Sequence, residues 1–396
     1  MATVLPTGRT VLRRAPRLEE VPERVPPVVY CVVFASACVL VGVLWDISWH
    51  QSIGRDTLFS APHVAIYLGG IIAGLACGWD ALRTSFAPGA DRSTAVPFWR
   101  VFRAPLGAWI AIWGAIAMIT SAPFDDWWHN AYGLDVKILS PPHALLAAGI
   151  GAINLGALVM VLSLQNRART AEFRYDLALL TVFAAGLLLL MVATISSEYH
   201  YRVYMHRAGF YLACAIAFPI VLTAAARAIA VRWPATATAL VYVAVTLAMM
   251  WILPLFPAEP KLAPINIPVT HMVPPSFPLL LVVPAAAIDL LLRRFGDDRR
   301  RWRLALAMGV AFVVSFLAVQ WPFAGFLMSD WSQNPVFAGD NFPYQLDRGT
   351  FYFQRRFLPA GSALEFLWGM LIATVAATLS ARVGLAWGDW MRRVRR

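Results

Sequence analysis

The sequence has little charge. Asp, Glu, Lys and Arg make up 14% of its 396 residues, against 59% hydrophobic residues and a mean hydropathy of +0.63. It has only four cysteines, Cys31, Cys38, Cys77 and Cys214, all inside apolar runs and none in a CxxC pair. They behave as small core residues and bound nothing about redox compartment. No CxxCH haem attachment and no flavin or nicotinamide fingerprint occurs, so any electrons the protein uses come from elsewhere. The first apolar run lacks a small-residue cleavage site, which predicts a retained helix rather than a signal peptide. A net charge of +11 raises the question of nucleic acid, but the basic residues are scattered and form no aromatic-interleaved stripe. Nucleic acid is therefore not an expected partner.

What the sequence has in abundance is apolar stretches of about 20 residues, the length a helix needs to cross a bilayer. They predict an all-α, polytopic membrane bundle of about ten spans: 27–49, 62–82, 104–123, 142–164, 177–195, 209–230, 234–256, 277–292, 304–328 and 361–383. Of the 33 Lys and Arg, 25 lie at the N-terminus, by the even-to-odd connections or in the C-terminal tail. The other eight (Arg55, Lys137, Arg202, Arg207, Lys261, Arg348, Arg355 and Arg356) lie in the odd-to-even connections. The positive-inside rule then places both termini in the cytoplasm of a bacterial-type plasma membrane and the odd-to-even connections on the external, periplasmic side. Residues 1–26 form a basic cytoplasmic segment, 27–165 four spans and 166–396 six more. The clusters at Arg293–Arg303 and Arg392–Arg396 suit orientation and anionic-lipid contact. The long external loop, 329–360, is rich in Asp, Asn, Gly and aromatics and suits a cap or a docking surface.

All seven histidines fall at or near external span ends, and two groups of them belong to a repeat. "DISWHQSIGRDTLFSAPH" from Asp46 aligns with "DDWWHNAYGLDVKILSPPH" from Asp125. Each copy has Asp, then Trp-His ending four residues on, then Gly-x-Asp, then Ser-x-Pro-His opening the next span. Asp46 and His50, like Asp125 and His129, share one helical face, and an antiparallel hairpin closes His63 or His143 onto it. Two imidazoles and a carboxylate with open positions suit a transition metal, with iron and zinc as compatible as copper. A single Asp–His pair would serve equally well as an interfacial hydrogen bond. Duplication of every candidate ligand, with the intervening residues changed, favours metal. Trp49 and Trp128 suit interfacial belt or packing roles, and Asp56 and Asp135 suit imidazole partners or helix caps. Glu198, His200 and His206 in "SSEYHYRVYMHRAG" lack the repeat spacing; an amphipathic interfacial turn is favoured there over an added ligand, a proton path or a substrate entry. His271 is expected to open the eighth span in a structural role.

The first copy resembles the metal-binding helix hairpin found in one membrane subunit of the copper membrane monooxygenases, the particulate methane and ammonia monooxygenase family. That family places Asp, His and His at this spacing, followed by an Arg-Asp-Thr run, here Arg55, Asp56 and Thr57. It also has a nearby Asn, His, His set whose last interval is one residue longer, matching Asp125, His129 and His143 with Asp in place of Asn. The resemblance covers Trp45 to Ala148, about a quarter of the chain; the family's hairpin-bearing subunit is shorter, with helices ahead of the first site. It implies a divergent relative: copper at both sets, and dioxygen activation to oxidise a small apolar substrate or ammonia. It further implies other subunits, including a cupredoxin-like copper protein, and a separate electron donor. The alternative is a non-enzymatic membrane protein that binds, transports or helps assemble copper. Ligands at one end of the bundle, with few polar residues at mid-helix, favour a fixed site over a transport path.

Overall fold

A computed structural model describes residues 24–54, 57–133, 140–259, 269–296, 300–344 and 362–396. The chain folds as an all-α bundle, with α1 (Pro27–Ser52), α2 (Ala61–Phe86), α3 (Leu106–Tyr132), α4 (Pro141–Gln165), α5 (Ala171–Ile195), α6 (Ala208–Ala228), α7 (Pro234–Ile252), α8 (Val282–Phe295), α9 (Arg301–Leu327) and α10 (Ala363–Met391). A two-stranded hairpin, β1 (Val96–Phe98) and β2 (Phe102–Ala104), joins α2 to α3. Among the described residues, nine helices are long and apolar enough to cross a membrane, so this is a multi-pass membrane protein.

The helix boundaries follow local chemistry. Pro lies at the first or second position of α1, α2, α4 and α7, where its missing N–H costs nothing. Ser140, Thr170 and Ser362 cap α4, α5 and α10 through their hydroxyls, and Ser362 with Glu365 completes a capping box. Lipid supplies no hydrophobic drive between spans, so close packing of small residues takes over. A β carbon on Gly114 of α3 would lie 2.7 Å from the Gly149 carbonyl of α4, and one on Gly149 would lie 2.8 Å from the Gly114 carbonyl. The helices α6 and α10 pack as intimately. Pro219 interrupts α6, and Ser380 of α10 fills the gap: its hydroxyl accepts from Ile220 N at 3.0 Å and donates to Ile216 O at 2.8 Å.

The hairpin α1/α2 packs beside α3/α4, α5 joins through α4, α1 and α7, and α6–α10 form the remaining layer. At the ends remote from the Asp–His–His sets, Asn166 donates to Met391 O and Val394 O, both at 2.8 Å, and Gln165 donates to Ala228 O at 3.1 Å. The bonds to Met391 O and Ala228 O satisfy C-terminal carbonyls of α10 and α6 that have no intrahelical partner, and the bond to Val394 O holds the tail beyond α10.

The eighth predicted span, 277–292, departs from expectation. Its N-terminal part, 277–281, is not helical, and α8 has only 14 residues, about 21 Å at the helical rise and short of a ~30 Å hydrocarbon core. Pro274, Pro275 and Pro278 explain this, because each lacks an N–H and disfavours helix in the residue before it. His271 accordingly lies in an antiparallel bridge with Pro257 and does not open a helix. Non-helical backbone at membrane depth is tolerated where protein satisfies it. Here Val273 N donates to Ser52 Oγ (2.7 Å), Phe277 N to Tyr344 OH (2.8 Å), Leu279 N to Tyr242 OH (3.0 Å) and Leu280 N to Gln320 Oε1 (3.1 Å).

Of the long loop 329–360, residues 329–344 are described. Buried Arg202 anchors them, donating to Phe342 O at 3.1 Å and Pro343 O at 2.8 Å, with its guanidinium 4.0 Å from the Phe342 ring centroid.

Candidate metal centres

Two helix ends and two helix starts build the candidate centres. α1 runs on past Asp46 and His50 and stops before Gly54, whose φ of 103° a side chain would resist. α3 runs past Asp125 and His129 and stops at Gly133, φ 86°. Each glycine follows its histidine by four residues, so both hairpins turn at the same point. α2 and α4 then open on Ala61-Pro62-His63 and Pro141-Pro142-His143, and the second histidine returns to the level of the Asp.

In the first set Asp46 faces both imidazoles, with Oδ2 3.7 Å from His50 Nε2 and Oδ1 3.4 Å from His63 Nε2. In the second, Asp125 Oδ1 lies 3.5 Å from His129 Nε2 and 3.4 Å from His143 Nε2. There the three ligand atoms all lie within 4.8 Å of one another; among the described residues no other set meets that spacing, Asp46, His50 and His63 included. The side chains are partly sheltered, His50 being the most open at 49% exposure.

The far ring nitrogen decides what these contacts can be. His63 Nδ1 lies 3.0 Å from Thr57 O, and His129 Nδ1 lies 3.1 Å from Gly133 O. A carbonyl can only accept, so Nδ1 carries hydrogen in both rings. In the neutral ring Nε2 is then a lone pair aimed at a carboxylate oxygen. Two acceptors face each other, and a proton or a metal ion must lie between them. A charge-assisted N–H···O bond would draw the atoms to about 2.7–2.9 Å. The 3.5 and 3.4 Å separations of the second set instead fit neighbouring ligands around one ion: at bonds of about 2.0–2.1 Å, tetrahedral ligands lie about 3.3–3.4 Å apart. A backbone carbonyl orienting the outer nitrogen is also the usual support of a metal-bound imidazole.

The other predicted site residues take different roles. Trp49 packs against the core with Nε1 buried, and Trp128 packs on Tyr132 with centroids 4.5 Å apart. Asp56 and Asp135 lie outside the described residues. Glu198 and His200 lie on a turn that exposes Glu198 and Tyr199 and buries His200. His200 Nε2 donates to Ala193 O at 3.1 Å, and its ring lies against Phe210 and Phe218. Burial pulls its pKa down to about 4, so it is neutral at pH 7. His206 donates to Trp321 O at 3.2 Å, and burial lowers its pKa too. Among the described residues, Glu198, His200 and His206 form no ligand group.

Sequence reasoning missed the two carbonyls that orient His63 and His129, and Tyr67, whose ring is 5.7 Å from that of His63. The paired glycines 54 and 133 were the available signal for the Gly133 carbonyl.

No family model, curated protein or solved structure matches the chain.

Proposed function

We propose that the chain is a copper-binding transmembrane component of a copper membrane monooxygenase-like complex, with Asp46, His50 and His63 holding one ion and Asp125, His129 and His143 another. The observation that carries the metal reading is the orientation of His63 and His129: with Nδ1–H given to Thr57 O and Gly133 O, each Nε2 lone pair faces a carboxylate oxygen. Copper itself rests on the spacing that resembles the metal-binding hairpin of that family, since the donor set suits iron and zinc as well. When bound, copper would supply redox chemistry that activates dioxygen toward a small apolar substrate or ammonia.

The chain's own residues fix the donors. Asp46 and Asp125 supply negative charge that favours a cation in a partly sheltered site, and the carbonyls of Thr57 and Gly133 hold the ring planes. The open side of His50 leaves the first set accessible to a further polypeptide, such as a cupredoxin-like protein.

Elemental analysis of the purified chain tests the metal reading. Two copper ions per chain are expected, falling to one in His129→Ala or His50→Ala and to none in the double variant. Wild-type protein without stoichiometric metal sinks it. The enzymatic reading is tested on the complex with its co-purifying polypeptides, reduced and copper-loaded: absence of hydrocarbon or ammonia oxidation leaves the non-enzymatic copper-binding alternative.

A further inference from the structure

The hairpin between α2 and α3 sits at the membrane face opposite the two ligand sets, because α2 runs away from His63 to reach it and α3 leaves it to reach Asp125. Its turn is closed by Val101 N donating to Phe98 O, with Trp99 at φ 47° and Arg100 at φ 63°. Two successive residues of positive φ are a conformation that Asn and Gly favour, and a bulky Trp-Arg pair opposes it. Non-glycine residues held in such conformations point to a role beyond the turn. Trp99 is 77% exposed, and Arg100 and Arg103 are exposed beside it.

The hairpin is firmly mounted. Arg103 N donates to Ser85 Oγ of α2 at 2.7 Å, and Trp109 of α3 donates from Nε1 to Val96 O at 3.0 Å. Phe98 stacks on Trp99 (centroids 4.8 Å) and lies against Trp109 (5.1 Å) and Trp113 (5.9 Å). Trp113 is half-exposed on α3, so this aromatic group continues onto a wall that acyl chains cover. Aromatic rings at the headgroup level with arginines beside them match the two parts of an anionic phospholipid: acyl boundary and phosphate.

We propose that this hairpin is a binding site for the phosphate headgroup of an anionic phospholipid, with Arg100 and Arg103 at the phosphate and Trp99 at the acyl boundary. Segment 80–104 carries four Arg against two Asp, a charge balance that suits an anionic headgroup.

The test uses the full chain in nanodiscs of mixed phosphatidylglycerol and phosphatidylcholine, followed by native mass spectrometry of the lipid retained on extraction. Wild type should retain phosphatidylglycerol preferentially. The Arg100→Gln, Arg103→Gln double variant should lose about fivefold retention per arginine. Trp99→Asn with Arg100→Gly installs the favoured turn pair, so its thermal midpoint should equal or exceed wild type while retention falls. A lower midpoint in that variant would mean the pair serves the turn itself and overturns the proposal. Equal retention in the variants, or no lipid preference in wild type, overturns it too. So would loss of a co-purifying polypeptide from the variants with lipid unchanged, which would reassign the hairpin to a protein contact. None of these readouts depends on metal, so the outcome is independent of the function proposed above.

Discussion

A histidine's role is set by what its two nitrogens touch, and four of the seven in this chain divide on that basis. His63 and His129 give one nitrogen to a carbonyl and aim the other at a carboxylate. His200 and His206 give theirs to the carbonyls of Ala193 and Trp321 and face aromatic rings. The ligand candidates were legible in the sequence because the pattern occurs twice; the burial of His200 was not, since nothing around "SSEYHYRV" shows which side faces the core. That burial has a consequence in pH. With its pKa pulled down to about 4 in the fold against about 6.5 in an unfolded chain, the unfolded state binds the extra proton between those values. The stability contributed by neutral His200 is therefore complete above about pH 6.5 and is lost as pH falls towards 4. Thermal unfolding in detergent should show a midpoint that falls over this window. His200→Gln should have a lower midpoint at pH 7 and a flatter pH profile; a variant profile parallel to wild type would assign the acid loss to other groups.

At the scale of helices, the hairpin ends were legible and the broken span was not. Pro62 and Pro142, Ser60 and Ser140, and Gly54 and Gly133 mark stops and starts by local chemistry visible in the sequence. Hydropathy counts Pro278 as an acceptable span residue and ignores Pro274 and Pro275 just before it, so the missing N–H groups do not register and 277–292 reads as a helix. The hairpins also depend on backbone contact that composition alone does not locate. A side chain on Gly149 would collide with Met118 and with the Gly114 carbonyl, forcing α4 from α3 six residues from His143. Overpacking of this kind costs about 1–3 kcal/mol and shifts backbone. Gly149→Leu should therefore lose the second ion while the first remains, whereas Gly78→Leu, with open space at its β carbon, should keep both. Elemental analysis of the two proteins checks this. Retention of two ions by Gly149→Leu would show that the contact does not position His143.

Across the whole molecule, the two ligand sets are not equivalent, although their sequences are. Ser52 is buried two residues beyond His50; its hydroxyl donates to Ser48 O and accepts from Val273 N at 2.7 Å. The aligned residue in the second copy is Ala131, which has no hydroxyl. Among the described residues, the first hairpin thus grips the segment before α8 through a bond the second hairpin lacks, and that segment is held in turn by Tyr242, Tyr344 and Gln320 from α7, the long loop and α9. The end of α1 is therefore fixed by the later helices through one hydrogen bond, a coupling that neither repeat copy reveals by itself. Removing the hydroxyl leaves Val273 N–H buried without this acceptor, a cost of about 1–3 kcal/mol. It also frees the last turn of α1, and so the placement of His50. In a His129→Ala background, where the first set alone holds copper, adding Ser52→Ala should weaken copper retention against a chelator. In a His50→Ala background, where the second set alone remains, the same change should leave retention unaltered. Equal effects in both backgrounds would show that Ser52 acts through general stability, and the two sets would then be independent of the later helices.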